Sequence, residues 1–74
     1  MTNRQQAQTA LARVLLEKIR QDNHPSQSQM MIFEETAPRE MAGEYLNVLL
    51  EKVANDRRPS IPMLRHIQKV AETL

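Results

Sequence analysis

Apolar residues recur at steps of three and four positions over most of this sequence, and that spacing limits what the chain can fold into. Such steps are the period of one face of an α-helix, whereas a strand repeats every two residues. The chain has one glycine and two aromatic residues. Its many Leu, Ala, Glu, Gln and Arg residues are good helix formers. We therefore predict an all-α fold.

Turn-forming residues divide this periodic pattern into three predicted helices within a single small domain of residues 1–74. The helices span residues 4–21, 38–54 and 61–73. Thr36 is the expected N-cap of the second helix and Ser60 that of the third, since short hydroxyl side chains accept hydrogen bonds from the first helical N–H groups. We expect either a three-helix bundle or a helical hairpin preceded by an N-terminal helix.

Residues 22–37 form the expected connector between the first two helices, and their structure is ambiguous. The polar residues 26–29 precede a compact apolar run, Met30-Met31-Ile32-Phe33. Periodicity does not assign so short a run. One interpretation is a loop or short helix that tucks into the core, in which Ser26 or Ser28 caps a helical turn. The other is a short strand, or an exposed patch that docks a partner.

The first two predicted helices carry apolar residues over more than one face. In the first helix the main stripe is Ala7, Leu11, Val14, Leu15 and Ile19, and Ala12 and Leu16 widen it. A closed three-helix monomer needs only one core face from each helix, and large exposed apolar patches are uncommon on monomers. We therefore expect a partner to cover the surplus. The predicted protein interface is Leu16, Ile19, Met30, Met31, Ile32, Phe33, Leu46, Leu50 and Val53.

Chain size supports the same expectation. The sequence has 74 residues and no cysteine, so disulfides cannot stabilise its small core. Self-association supplies the missing apolar burial symmetrically. We predict a homodimer that also binds another protein.

Gly43, the single glycine, lies inside the second predicted helix. Glycine in a helix interior costs about 1 kcal/mol relative to alanine. This cost is explained if another backbone approaches closely at that point. We therefore predict a close helix–helix contact at Ala42 and Gly43.

Residue types that most enzymes use are absent or isolated. A single glycine rules out a glycine-rich phosphate loop. His24 and His66 have no further ligand at metal-binding spacing within their own segments. The adjacent Glu34 and Glu35 do not face each other on a helix. We predict that the protein is not an enzyme and has no metal and no cofactor.

Two classes of function are compatible with these features. The first and favoured class is a protein-interaction or regulatory module that acts through its surplus apolar surface. The alternative is a small helix-turn-helix-like DNA-binding regulator that reads a groove with helix 61–73. Its possible nucleic-acid contacts are Arg57, Arg58, Arg65 and Lys69. The acidic residues of the preceding helix, among them Glu44 and Glu51, oppose a phosphate backbone.

Charge and hydropathy add two expectations. The net charge of +1 is too close to neutral to indicate nucleic acid by itself, although basic ends flank an acidic middle, residues 26–51. The longest uninterrupted apolar run has four residues, so we predict no membrane span. The first residues are polar, and we expect a cytoplasmic protein.

Overall fold

The computed structural model describes residues 3–73, and within them four α-helices account for most of the chain. The helices are α1 (Arg4–Gln21), α2 (Gln27–Thr36), α3 (Ala42–Asn55) and α4 (Ile61–Glu72). A 3-10 turn, Arg39–Met41, precedes α3. The predicted all-α class is confirmed, and the helix additional to the three predicted ones is α2, which lies in the segment that the sequence pattern leaves ambiguous.

A side-chain capping box fixes the start of α1. The N–H of Gln6 donates to Asn3 Oδ1 at 2.8 Å, and the N–H of Asn3 donates to Gln6 Oε1 at 3.1 Å. This reciprocal capping box satisfies two N–H groups that would otherwise lack partners. At the other end, Lys18 and Arg20 lie in the last turn, where positive charge is favourable. The helix begins and ends where its sequence pattern predicts.

Of the two interpretations of residues 22–37, the short helix that packs into the core is the one observed, because α2 occupies Gln27–Thr36 and buries Met30 and Phe33. Ser26 and Gln29 form a second capping box, with N–H to side-chain oxygen distances of 3.1 and 3.3 Å. At the other end, Pro38 disfavours helical geometry in the residue before it. Ala37 is accordingly extended, with φ −69° and ψ 140°.

The start of α3 also differs from its predicted position at residue 38. Thr36 is the last residue of α2 and caps nothing. Helix α3 begins at Ala42, four residues after its predicted start. Its N-cap, Met41, makes no side-chain capping bond. The extended residue before Pro38 separates α2 from the following 3-10 turn, so Pro38 belongs to the connection between the helices.

Ser60 caps α4 as predicted. Its Oγ accepts a hydrogen bond from the N–H of Met63 at 3.2 Å. Pro62 lies in the first turn, where its missing N–H has no cost. The helix ends at Glu72, one residue earlier than predicted, and Leu74 of the predicted apolar stripe lies outside the described residues.

The chain divides into two compact units, Met1–Glu40 and Met41–Leu74. In the first unit α1 contacts α2, and in the second unit α3 contacts α4. Each unit contains one of the two aromatic residues as its largest fully buried side chain, Phe33 in the first and Tyr45 in the second. The remaining buried apolar residues are Ala12, Leu16, Ile19, Met30, Met41, Val48, Leu49, Ile67 and Val70.

Gly43 does not mark a close helix contact, contrary to the sequence-based prediction. A Cβ atom added at this position would meet no heavy atom of the described chain within 4 Å. Its φ is not positive, so the backbone conformation does not require glycine either. Gly43 lies exposed in the first turn of α3, where alanine would fit.

Candidate interaction surfaces

The predicted interface residues separate into buried and exposed groups. Leu16, Ile19, Met30 and Phe33 are at most 4% exposed. They fill the first unit's own core, so they offer no uncovered surface, and their assignment to the surplus is wrong. Met31, Ile32 and Leu50 are 46–49% exposed, and Leu46 and Val53 are half-buried.

A continuous apolar stripe lies on α3 beside its buried face. Leu46, Leu50 and Val53 are spaced i, i+4 and i+7, which places them on one side of the helix. The buried residues Tyr45 and Leu49 lie on the adjacent side. We call Leu46, Leu50 and Val53 the α3 stripe. This stripe stays accessible after the second unit's core is filled.

A second apolar stripe lies on α1, at positions that periodicity alone assigns to the core. The buried residues of α1 are Ala12, Leu16 and Ile19. Leu11 and Val14, which belong to the predicted main stripe, are 46% and 56% exposed. The helix has two apolar stripes at similar spacing, and it buries the one that contains Ala12. The exposed α1 stripe consists of Leu11 and Val14.

The two shorter helices also expose large apolar side chains. On α2 these are Met31 and Ile32, adjacent in sequence and on the side away from Met30 and Phe33. On α4 they are Ile61 at 61% exposure and Leu64 at 38%. These two residues are three positions apart and share a helix face. Neither is among the predicted interface residues, although the i, i+3 spacing is visible in the sequence.

The four candidate nucleic-acid contacts are all exposed. Arg57 and Arg58 lie in the turn before α4, where the N–H of Arg58 donates to Asp56 Oδ1 at 3.0 Å. Arg65 and Lys69 follow one turn apart on α4. The unit that contains them carries five basic and four acidic side chains, so its charge is nearly balanced.

The chemistry-bearing residues do not gather into a site. His24 is exposed in the turn after α1, where its N–H donates to Asp22 Oδ1 at 3.0 Å. Glu34 and Glu35 are exposed near the end of α2. Across residues 3–73, no group of three or more His, Cys, Asp or Glu side chains is placed to hold a metal ion. No polar or charged side chain of these residues is buried.

The fold and these surfaces define an all-α protein of two units, each built from two contacting helices, with large apolar side chains exposed on the helices. Comparison with protein families, with curated proteins and with solved structures found no match to this chain. None of the helices between residues 3 and 73 is both long and apolar enough to cross a membrane.

Proposed function

We propose that this protein is a non-enzymatic protein-interaction or regulatory module whose exposed apolar helix faces bind another protein. The α3 stripe carries the proposal, because Leu50 stays 46% exposed between two half-buried apolar neighbours. Such contiguous apolar surface is typical of interaction sites, whereas scattered exposed apolar residues need no explanation. We further propose that the working unit is a homodimer in the cytoplasm.

The size of each unit supports this proposal. A two-helix unit of at most about 40 residues buries little apolar surface, and domains of that size usually need a staple or a partner. Neither unit has a cysteine to supply a disulfide. In helix-in-groove recognition, an amphipathic helix places an exposed apolar face in a hydrophobic groove of its partner.

Affinity capture from a lysate of the cell that makes the protein tests the proposal. The bait is compared with Leu50→Glu, which places a charge in the α3 stripe, and with Asn55→Glu. Asn55 is exposed on the same helix, on the side away from the stripe, and serves as the matched control. We expect a protein that wild type and Asn55→Glu capture equally and Leu50→Glu does not.

Capture that is equal for all three baits, or no enriched protein at all, would contradict the proposed role of the α3 stripe. Circular dichroism of Leu50→Glu must show wild-type helix content. We expect this result because the side chain that is replaced is half exposed.

A small DNA-binding regulator is the second candidate function. The observation that favours it is the exposure of Arg65 and Lys69 on one face of α4, directly after the exposed Arg57 and Arg58. Basic side chains in such positions contact phosphates, and a groove-bound helix reads base edges. The exposed acids of α3, Glu44 and Glu51, oppose this interpretation.

Fluorescence titration with random duplex DNA at two salt concentrations separates the two functions. DNA recognition predicts salt-sensitive binding that Arg65→Glu with Lys69→Glu weakens about tenfold or more. Arg13→Glu with Lys18→Glu, on α1, makes the same change of net charge and serves as the control. Absence of binding at low salt eliminates this candidate, because the electrostatic contribution is strongest there.

A further inference from the structure

Two exposed patches of this chain have complementary composition. The α2 patch consists of Met31, Ile32 and Glu35, and the α4 patch consists of Ile61, Leu64 and Arg65. The spacing is i, i+1 and i+4 in the first patch and i, i+3 and i+4 in the second, so each patch lies on one side of its helix. All six side chains are exposed. Each patch therefore presents two large apolar side chains beside one charge.

The two charges are of opposite sign and are both available. Neither Glu35 nor Arg65 forms a side-chain hydrogen bond or ion pair with another residue of the described chain. By contrast, Arg20 Nε on α1 lies 3.7 Å from Glu17 Oε2 on the same helix, outside both patches. A surface that offers the opposite patch can thus pair these charges while it covers the apolar side chains.

We propose that the α2 patch of one copy of this chain binds the α4 patch of a second copy. This inference rests on the proposed interaction function and names one partner for it. Charge complementarity favours a second copy as the partner. Every chain carries one negative and one positive patch, so a second copy offers each patch of the first copy a patch of opposite charge. Two such contacts, exchanged reciprocally, close a two-fold dimer, in which residue i contacts j and j contacts i.

Charge reversal tests this contact. In Glu35→Arg both patches are positive, and in Arg65→Glu both are negative. Each variant alone opposes like charges at both contacts of a dimer. Sedimentation velocity should show self-association weakened about tenfold or more, since two attractive pairs become repulsive. Exposed positions on helix surfaces tolerate such substitutions, and circular dichroism checks that helix content is unchanged.

Mixing the two single variants provides the decisive measurement. In an equimolar mixture, the arginine introduced by Glu35→Arg would meet the glutamate introduced by Arg65→Glu at one contact. At the other contact, the native Glu35 of one copy would meet the native Arg65 of the other. We expect the mixture to associate within about threefold of wild type, since both pairs are again matched. Glu51→Arg and Arg13→Glu reverse exposed charges outside both patches and should leave the association unchanged, alone or mixed.

Three results would overturn the proposed contact: a monomeric wild type, single variants that associate as wild type does, or a mixture that fails to recover. Recovery only when both reversals are in one chain is a case of the third result, because it would show that the charges do not match between copies. A monomer that still captures a protein through Leu50 overturns this contact alone. A dimer that captures nothing overturns only the binding of another protein.

Discussion

At the scale of single residues, Gly43 is a position where the local sequence does not favour the local structure. It lies in the first turn of α3, without a positive φ and with open space where a Cβ would lie. Its replacement by alanine therefore removes conformational freedom from the unfolded chain and creates no clash.

We expect Gly43→Ala to raise the free energy of unfolding by about 0.5 kcal/mol. Urea denaturation followed by circular dichroism measures the change. Ala54→Gly, in the exposed last turn of the same helix, is the opposite substitution and should lower stability by a similar amount. A destabilised Gly43→Ala would mean that a backbone or side chain does approach this position.

Phe33 differs from Gly43 in that its replacement should be harmful, because this single side chain supplies much of the first unit's core. It is 1% exposed and is the only phenylalanine of the chain. Truncating a buried phenylalanine removes its apolar burial and leaves a cavity.

We expect Phe33→Ala to lower the free energy of unfolding by about 3 kcal/mol or more, and to unfold the helices of the first unit at moderate temperature. A thermal melt followed by circular dichroism measures this loss. Gln27→Ala, exposed on the same helix, should change stability by less than about 0.5 kcal/mol. Equal effects of the two substitutions would contradict the position of Phe33 in the core.

At the scale of elements, α2 has a clear start signal and a clear stop signal in its sequence. The Ser26–Gln29 capping box starts it, and Pro38 stops it through the extended Ala37. Only ten residues long, it would be marginal as an isolated helix in water. Its caps and its two buried side chains, Met30 and Phe33, must therefore provide much of its stability.

Ser26→Ala should lower the free energy of unfolding by about 1 kcal/mol, because the N–H of Gln29 loses its acceptor. Ser28→Ala is the matched control, since the same substitution two residues later removes no hydrogen bond within the described chain. Equilibrium denaturation of both variants measures the difference. If Ser28→Ala is as harmful as Ser26→Ala, the helix does not begin at the capping box.

The sequence predicts an element correctly where its start and stop signals have only one interpretation. Ser60 with Pro62 places the start of α4 correctly, whereas Thr36 satisfies the pattern of an N-cap and is the end of α2. The S-x-x-Q capping box at Ser26 is readable in the sequence. The apolar run that follows it is too short to show a period, so the capping box alone does not distinguish a helix from a turn.

The candidate site is less predictable, because periodicity does not determine which way a helix is rotated. On α1, both Ala12 with Leu16 and Leu11 with Val14 satisfy helical spacing. Which pair is buried depends on the helix that packs against it, and that helix, α2, lies in a segment whose sequence pattern is ambiguous. The surplus of apolar surface can therefore be inferred from the sequence, but its position cannot.

At the scale of the whole molecule, the proposed self-association links stability to protein concentration. A partner that binds only the folded chain stabilises it by mass action, so the thermal midpoint depends on the concentration of the partner. Here the partner is another copy of the chain.

We expect the midpoint to rise by about 5 °C over a hundredfold increase in protein concentration. Calorimetry or circular dichroism in cells of different path length measures it. Glu35→Arg should abolish most of this dependence, and Glu51→Arg should preserve it. A midpoint that does not move with concentration argues against an assembly that contributes to folding.

The distribution of aromatic residues also makes the protein its own spectroscopic probe. Tyr45 is the only tyrosine, and the chain has no tryptophan. This residue is 2% exposed in the unit that begins at Met41. Tyrosine emission and near-ultraviolet dichroism therefore report on the opening of that unit's core, while far-ultraviolet dichroism reports on the helices of both units. Following both signals through one urea gradient shows directly whether the two units unfold together.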